Sequence, residues 1–156
     1  MSESENSNSP DPMLVALELA KRAAAQDEVP VGAVILHEGK VIGEGWNQRE
    51  SKQDPLSHAE VEAIRAAASR LNSWRLEGCT LVVTLEPCPM CLAAAQQARI
   101  RTLIYGADDP KGGALSLGYR FHEDVRVNHR FEVRRESKPE CGSILTEFFK
   151  KKRSSS

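Results

Sequence analysis

Two short, near-continuous apolar runs, residues 31–36 and 80–85, constrain the fold of this 156-residue chain more than any other feature. A strand with one wet face alternates apolar with polar residues, whereas an unbroken run of this length reads as a strand covered on both faces. The segments around them alternate in type. Asp11-Pro12 offers an N-cap followed by proline at the first helical position. Met13, Ala16, Leu17, Ala20 and Ala24 then share one face and predict a helix to about Gln26. Glu38-Gly39-Lys40 turns the first run back into a second strand over 41–46. A polar loop, 48–57, leads to a helix over 58–71 whose face Glu60, Ile64, Ala67 and Leu71 points inward. After the 80–85 strand come a helix over 88–98, a strand over 102–105 and a polar, glycine-bearing stretch over 108–128 with a short helix. Phe131 and Val133 mark a fifth strand, and 140–152 a last helix. One hairpin followed by alternating helices and strands predicts an α/β chain with a mostly parallel sheet and helices on both faces.

The length supports a single domain with a real core, expected over 12–153, between disordered tails at 1–11 and 154–156. The first tail is Ser/Asn-rich and acidic, without the basic start and apolar stretch of a secretory signal. No apolar run reaches the length of a membrane span. These features predict a cytoplasmic chain without membrane association. A formal net charge of −1 argues against a general nucleic-acid coater, so any such contact must come from a local patch. Lys150-Lys151-Lys152-Arg153 supplies one, although the run reads equally well as a solvated helix end. Of the four cysteines, Cys79 and Cys141 are expected as small buried hydrophobes. Without a secretion signal, metal ligation is a better default for the others than a disulfide.

Cys88 and Cys91 lie three apart in the first turn of a helix, so both sulfurs face one way. Free N–H groups there favour thiolate, the form that binds metal. The pair follows a buried strand, and His58 opens another helix whose end can approach the same point. One imidazole and two thiolates are the donor set of a three-ligand zinc site with an open position. Glu60, two residues from His58, would then be the acid/base. A buried carboxylate without a partner is costly, and water activated at a metal would give it protons to move. Two other readings stay open at this point. Cys-x-x-Cys also serves as a redox pair, and Cys79, Cys141, His122 or His129 could close the site as a fourth, structural ligand.

With those residues in view, the chain resembles the zinc-dependent nucleoside and nucleobase deaminases, whose signature pairs His-x-Glu with Pro-Cys-x-x-Cys. It is similar in particular to their branch of bacterial tRNA-specific adenosine deaminases. That likeness rests on residues 28–34, Gly43-Glu44-Gly45-Trp46-Asn47, His58-Ala59-Glu60, residues 84–91, Gly106-Ala107-Asp108-Asp109-Pro110-Lys111 and Asn128-His129-Arg130. The resemblance implies a three-layer α/β/α, cytidine-deaminase-like fold around a five-stranded mixed sheet. It implies hydrolysis of the wobble adenosine in a tRNA anticodon stem-loop to inosine, one zinc ion per subunit and a homodimer. It assigns His58, Cys88 and Cys91 to zinc and Glu60 to proton transfer. It assigns Asn47 to the nucleoside, Val29 and Pro87 to the base pocket, and Phe148, Phe149 and Lys150 to the anticodon loop. Two alternatives remain. Pro89 also occurs in guanine deaminases, so a free-base deaminase acting on guanine or cytosine shares the site. A non-catalytic, zinc-stabilised RNA-binding protein shares the ligands.

Overall fold

The structure, a computed structural model, describes residues 10–155. Residues 1–9 of the expected first tail, and Ser156, lie outside the described residues. Asp11 caps the first helix as its sequence predicts: its Oδ1 accepts the Met13 N–H at 2.9 Å, and Pro12 occupies the first helical position. Helix α1 (Pro12–Ala25) leads to β1 (Gly32–His37) and β2 (Lys40–Trp46). Glu38 and Gly39 both take positive φ (52° and 79°), the backbone that a tight hairpin turn requires. A four-residue helix, α2 (Arg49–Lys52), interrupts the segment expected to be loop. Then follow α3 (Ala59–Leu71), β3 (Cys79–Leu85), α4 (Pro89–Gln97), β4 (Thr102–Ala107), a 3₁₀ turn at Phe121–Glu123, β5 (Glu132–Arg135) and α5 (Pro139–Ser155). Ser154 and Ser155, expected in a terminal tail, are the last residues of α5.

The sheet order is β2-β1-β3-β4-β5. β1 opposes both β2 and β3, while β3, β4 and β5 run parallel. The sheet is therefore evenly mixed rather than mostly parallel. The cause is topological. Helix α3 carries the chain from β2 across β1 to β3, so β2 and β3 run the same way and the hairpin strand between them opposes both.

Side-chain alternation within single strands explains the unbroken apolar runs. Ala33, Ile35, Leu81, Val83, Leu103 and Tyr105 form one core with Ala59, Ala63, Ala67, Leu92 and Ala95 of α3 and α4. Val34, Val82 and Ile104 form the other with Met13 and Leu17 of α1 and Cys141 of α5. The result is three layers, α1 and α5 on one face and α3 and α4 on the other. The inward face of α3 is Ala59, Glu60, Ala63 and Ala67; Leu71, expected inward, is the last residue of the helix and 36% exposed. Small residues set the spacing between layers. A Cβ on Gly45 would lie 2.2 Å from the Ala59 carbonyl oxygen, so α3 can rest on β2 only at a glycine. Among the described residues no helix is long and apolar enough to cross a membrane.

Candidate active site

Two helix N-termini meet at the end of β3. His58 is the N-cap of α3 in extended backbone (φ −78°, ψ 156°), and Ser57 donates from Oγ to Glu62 Oε2 at 2.6 Å, which fixes the helix entry. Cys88 is the N-cap of α4, Pro89 follows at the first helical position, and Cys91 lies one turn inward. This brings His58 Nδ1 to 3.6 Å from Cys88 Sγ and 3.4 Å from Cys91 Sγ. Among the described residues these three form the one cluster of donor atoms able to hold a metal ion. The spacing suits zinc. A tetrahedral ion about 2.3 Å from sulfur and about 2.0 Å from nitrogen separates those donors by about 3.5 Å.

A closed four-ligand site does not describe the arrangement. Cys79 packs in one core and Cys141 in the other. His122 lies against Phe131, with ring centroids 5.8 Å apart, and His129 Nε2 lies 2.7 Å from the Ile100 carbonyl oxygen. None of these four joins His58, Cys88 and Cys91 in the donor cluster.

Charge is unevenly held in the cluster. The hydrogen bond from Cys91, with help from His58, pulls the Cys88 thiol down to about 4. Donating that bond, together with burial and the nearby Glu60, pushes Cys91 up. The bond with Cys88, opposed by burial, raises His58. A bound cation would replace this sharing, because a coordinated thiol loses its proton outright. Glu60 is fully buried, and burial raises its carboxyl to about 7 against the pull of its own N–H and of His58.

The cluster borders a cavity of about 190 Å³. Val29, Asn47 and Glu60, singled out from the sequence, all stand on its wall. Pro87 does not. It is fully buried beneath the wall, where its carbonyl accepts the Ala114 N–H at 2.8 Å, and its neighbours Glu86 and Cys88 reach the cavity instead. The Asn47 side chain is held at both ends, donating to the Val29 carbonyl at 3.3 Å and accepting the Arg49 N–H at 3.2 Å. Arg49, Glu86 and Asp109 complete the polar wall. Sequence reasoning missed all three. Glu86 and Asp109 lie inside quoted motifs but carried no assigned role, and Arg49 follows Asn47 in a polar stretch without periodicity.

Val29, Asn47 and Arg49 also border a larger groove of about 640 Å³. Phe148, Phe149 and Lys152 of α5 line its other side. Lys152 pairs with Asp27 at 2.7 Å and lies 5.7 Å over the Phe148 ring. Lys150, expected at the same surface, is exposed and borders neither the cavity nor the groove; Lys152 holds that place.

The chain matches the MafB19-like deaminase family over residues 7–153. It is 44% identical to a tRNA-specific adenosine deaminase of Haemophilus influenzae over 143 residues, 90% of this chain and 83% of that protein. With the tRNA-specific adenosine deaminase of Bacillus subtilis the identity is 42% over 142 residues, 90% and 88% of the two chains. A solved structure from a study of A-to-I editing by tRNA deaminases at the wobble position superposes with a TM-score of 0.81 at 44% identity, covering 86% of this chain and 98% of that one. A guanine deaminase from Bacillus subtilis superposes with a TM-score of 0.62 at 30% identity, covering 89% and 92%.

Proposed function

We infer the activity from one premise: the chain belongs to the MafB19-like deaminase family and, within it, to the tRNA-specific adenosine deaminases. It hydrolyses the wobble adenosine of a tRNA anticodon to inosine and releases ammonia. The observation that ties this activity to particular atoms is Glu60, fully buried at the cavity wall beside three metal donors.

We propose that His58 Nδ1 and the sulfurs of Cys88 and Cys91 hold one zinc ion per subunit, a reading their spacing supports. When bound, the ion supplies Lewis acidity that makes hydroxide available from water near neutral pH. The chain's own contribution is proton transfer and placement. Water adds at the carbon bearing the amino group. Glu60 takes the first water proton and sets it on the neighbouring ring nitrogen, then moves the second to the departing amine. Inosine and ammonia account for every atom of adenosine and water.

Asn47 keeps one amide hydrogen and part of its carbonyl oxygen free for the nucleoside after its two backbone bonds. Val29 offers an apolar surface to the base. The groove toward Phe148 and Phe149 suits unpaired bases, which stack on aromatic rings, and the α5 cations suit phosphates. An anticodon loop is already unpaired, so presenting one of its bases costs less than extruding it from a duplex. A homodimer in the cytoplasm, with both subunits contacting tRNA, belongs to the same reading and rests on the family resemblance; sedimentation of the purified chain tests the dimer.

The deciding experiment is mass analysis of tRNA nucleosides after incubation, with free guanine and cytosine in parallel ammonia assays. Inosine at the wobble position is expected. Ammonia from a free base with no inosine would replace this reading by that of a free-base deaminase.

A further inference from the structure

Three buried glutamates stand at or beside the cavity, and two of them are occupied by backbone. Glu86 is 2% exposed; its carboxylate accepts the Asp109 N–H at 3.0 Å, the Ser116 N–H at 2.8 Å and the Ser116 hydroxyl at 2.7 Å. Glu28 is 1% exposed and accepts the Glu50 N–H at 3.1 Å, the Ser51 N–H at 2.6 Å and the Ser51 hydroxyl. Three of the roughly four acceptor sites of each carboxylate are taken. Their donors lie in two separate segments. Glu50 and Ser51 follow Arg49 on α2, and Asp109 is the second residue of the irregular segment after β4; Arg49 and Asp109 both border the cavity.

We propose that Glu28 and Glu86 are positioning residues for the substrate, Glu28 fastening the short helix α2 and Glu86 the irregular segment after β4, the two segments that bring Arg49 and Asp109 to the cavity wall. The wall is then formed before a nucleotide arrives, and the ordering cost that binding would otherwise meet is already met in folding. Charge-assisted bonds to backbone N–H groups are among the stronger hydrogen bonds, as such fastening requires. Gly113 carries the same point independently. A Cβ there would lie 2.1 Å from Glu86 Cδ and Oε2, so a side chain at 113 forces a shift at the carboxylate or at the 113 backbone beside it. The proposal rests on the deaminase reading above.

The test compares metal-loaded wild type, Glu86→Gln and Gly113→Ala with an anticodon stem-loop as substrate, by steady-state kinetics and by amide hydrogen exchange. Gln turns an NH2 group toward N–H donors, and Ala at 113 crowds an unaltered carboxylate. Both should speed exchange at Asp109 and Ser116 by roughly 10- to 100-fold, the worth of a hydrogen bond to a charged group. KM should rise by a comparable factor, with kcat and bound metal close to wild type. Glu28→Gln should show the same split, with exchange quickened at Glu50 and Ser51. A fall in kcat together with metal loss would show Glu86 acting through its neighbour Cys88, and would overturn the proposal. So would faster exchange with KM unchanged. Should Glu86→Gln fail to fold, Ser116→Ala removes a single donor and must still raise KM. No inosine from wild type overturns the activity itself, whereas wild-type turnover with unaltered KM in the variants overturns the positioning role alone.

Discussion

At the residue scale, what separates Glu60 from the other buried glutamates is the surroundings of its oxygens. Glu28 and Glu86 are surrounded by N–H and hydroxyl donors; Glu60 faces Cys91, His58 and the cavity. Glu60→Gln should therefore keep the fold and the bound metal while lowering turnover by at least the roughly 100-fold that acid–base catalysis contributes. Inosine formation at near-wild-type rate with normal metal content would remove Glu60 from the reaction. Glu28 makes a different prediction. Burial alone would raise its carboxyl, but the bonds from Ser51 and Glu50 and the Arg49 charge hold it below its ordinary 4.5. The folded state thus binds fewer protons than the unfolded one, so this stabilisation is complete above about pH 4.5 and disappears as pH falls through the lowered folded value. Glu28→Gln should cost about 1–3 kcal/mol at pH 7. The gap to wild type should narrow in acid; a constant difference across a pH series of denaturant titrations would contradict it. The sequence showed that a glutamate beside His58 was special, because motif spacing is local. It did not show what Glu28 and Glu86 do, because their partners lie 23 and 30 residues away, in segments without periodicity.

At the scale of elements, hydrophobic pattern located nearly every helix and strand but not their directions or close approaches. A buried run looks the same whichever way its strand points, so the β1–β2 hairpin was legible from its turn but the antiparallel pairing of β1 with β3 was not. Helix α2 was missed because four residues have no buried face; its amides are satisfied by Glu28 instead of by an apolar stripe. The packing that sets the active site, α3 on β2, depends on glycines whose role appears only in three dimensions. In Gly45→Ala the new methyl meets backbone atoms, Ala59 O at 2.2 Å and Ala63 N at 2.5 Å, which cannot rotate away. Overpacking of this kind costs about 1–3 kcal/mol. Because His58 caps α3, the shift should also loosen metal binding, measured as a lower zinc content and a lower Tm. Gly142→Ala is the control. No atom outside the local helix lies within 4 Å of a Cβ at that position in α5, so the usual helix preference for alanine should stabilise the chain by about 0.5–1 kcal/mol and leave activity intact. Destabilisation by Gly142→Ala would mean that α5 is more closely covered than the isolated chain shows.

Over the whole molecule the charges almost cancel, 21 basic against 22 acidic residues. A polyanionic substrate must therefore be held by arrangement rather than by net charge. The fold separates the charges in a useful way. Glu28, Glu60 and Glu86 are buried at or beside the cavity, with Glu28 and Glu86 committed to backbone donors, and Asp109 on the cavity wall accepts the Gly112 N–H at 3.1 Å. Basic charge is concentrated at the end of α5, beside the groove that opens from the cavity past Asn47 and Arg49, a groove that Asp27 and Glu50 also line. Lys152 is partly committed to Asp27, whose carboxylate offsets some of its charge at the groove. Alanine at Lys150, Lys151 and Lys152 together should weaken binding of an anticodon stem-loop and flatten its dependence on salt. The slope of log K against log salt should fall by about 0.7 for each single-strand phosphate that is no longer neutralised. Turnover of bound substrate should change little, since no lysine of this group borders the cavity beside His58, Glu60 and Cys88. A salt series in which the triple variant keeps the wild-type slope would move the phosphate-binding surface elsewhere. Arg49, exposed at the junction of cavity and groove, would then be the next cation to remove.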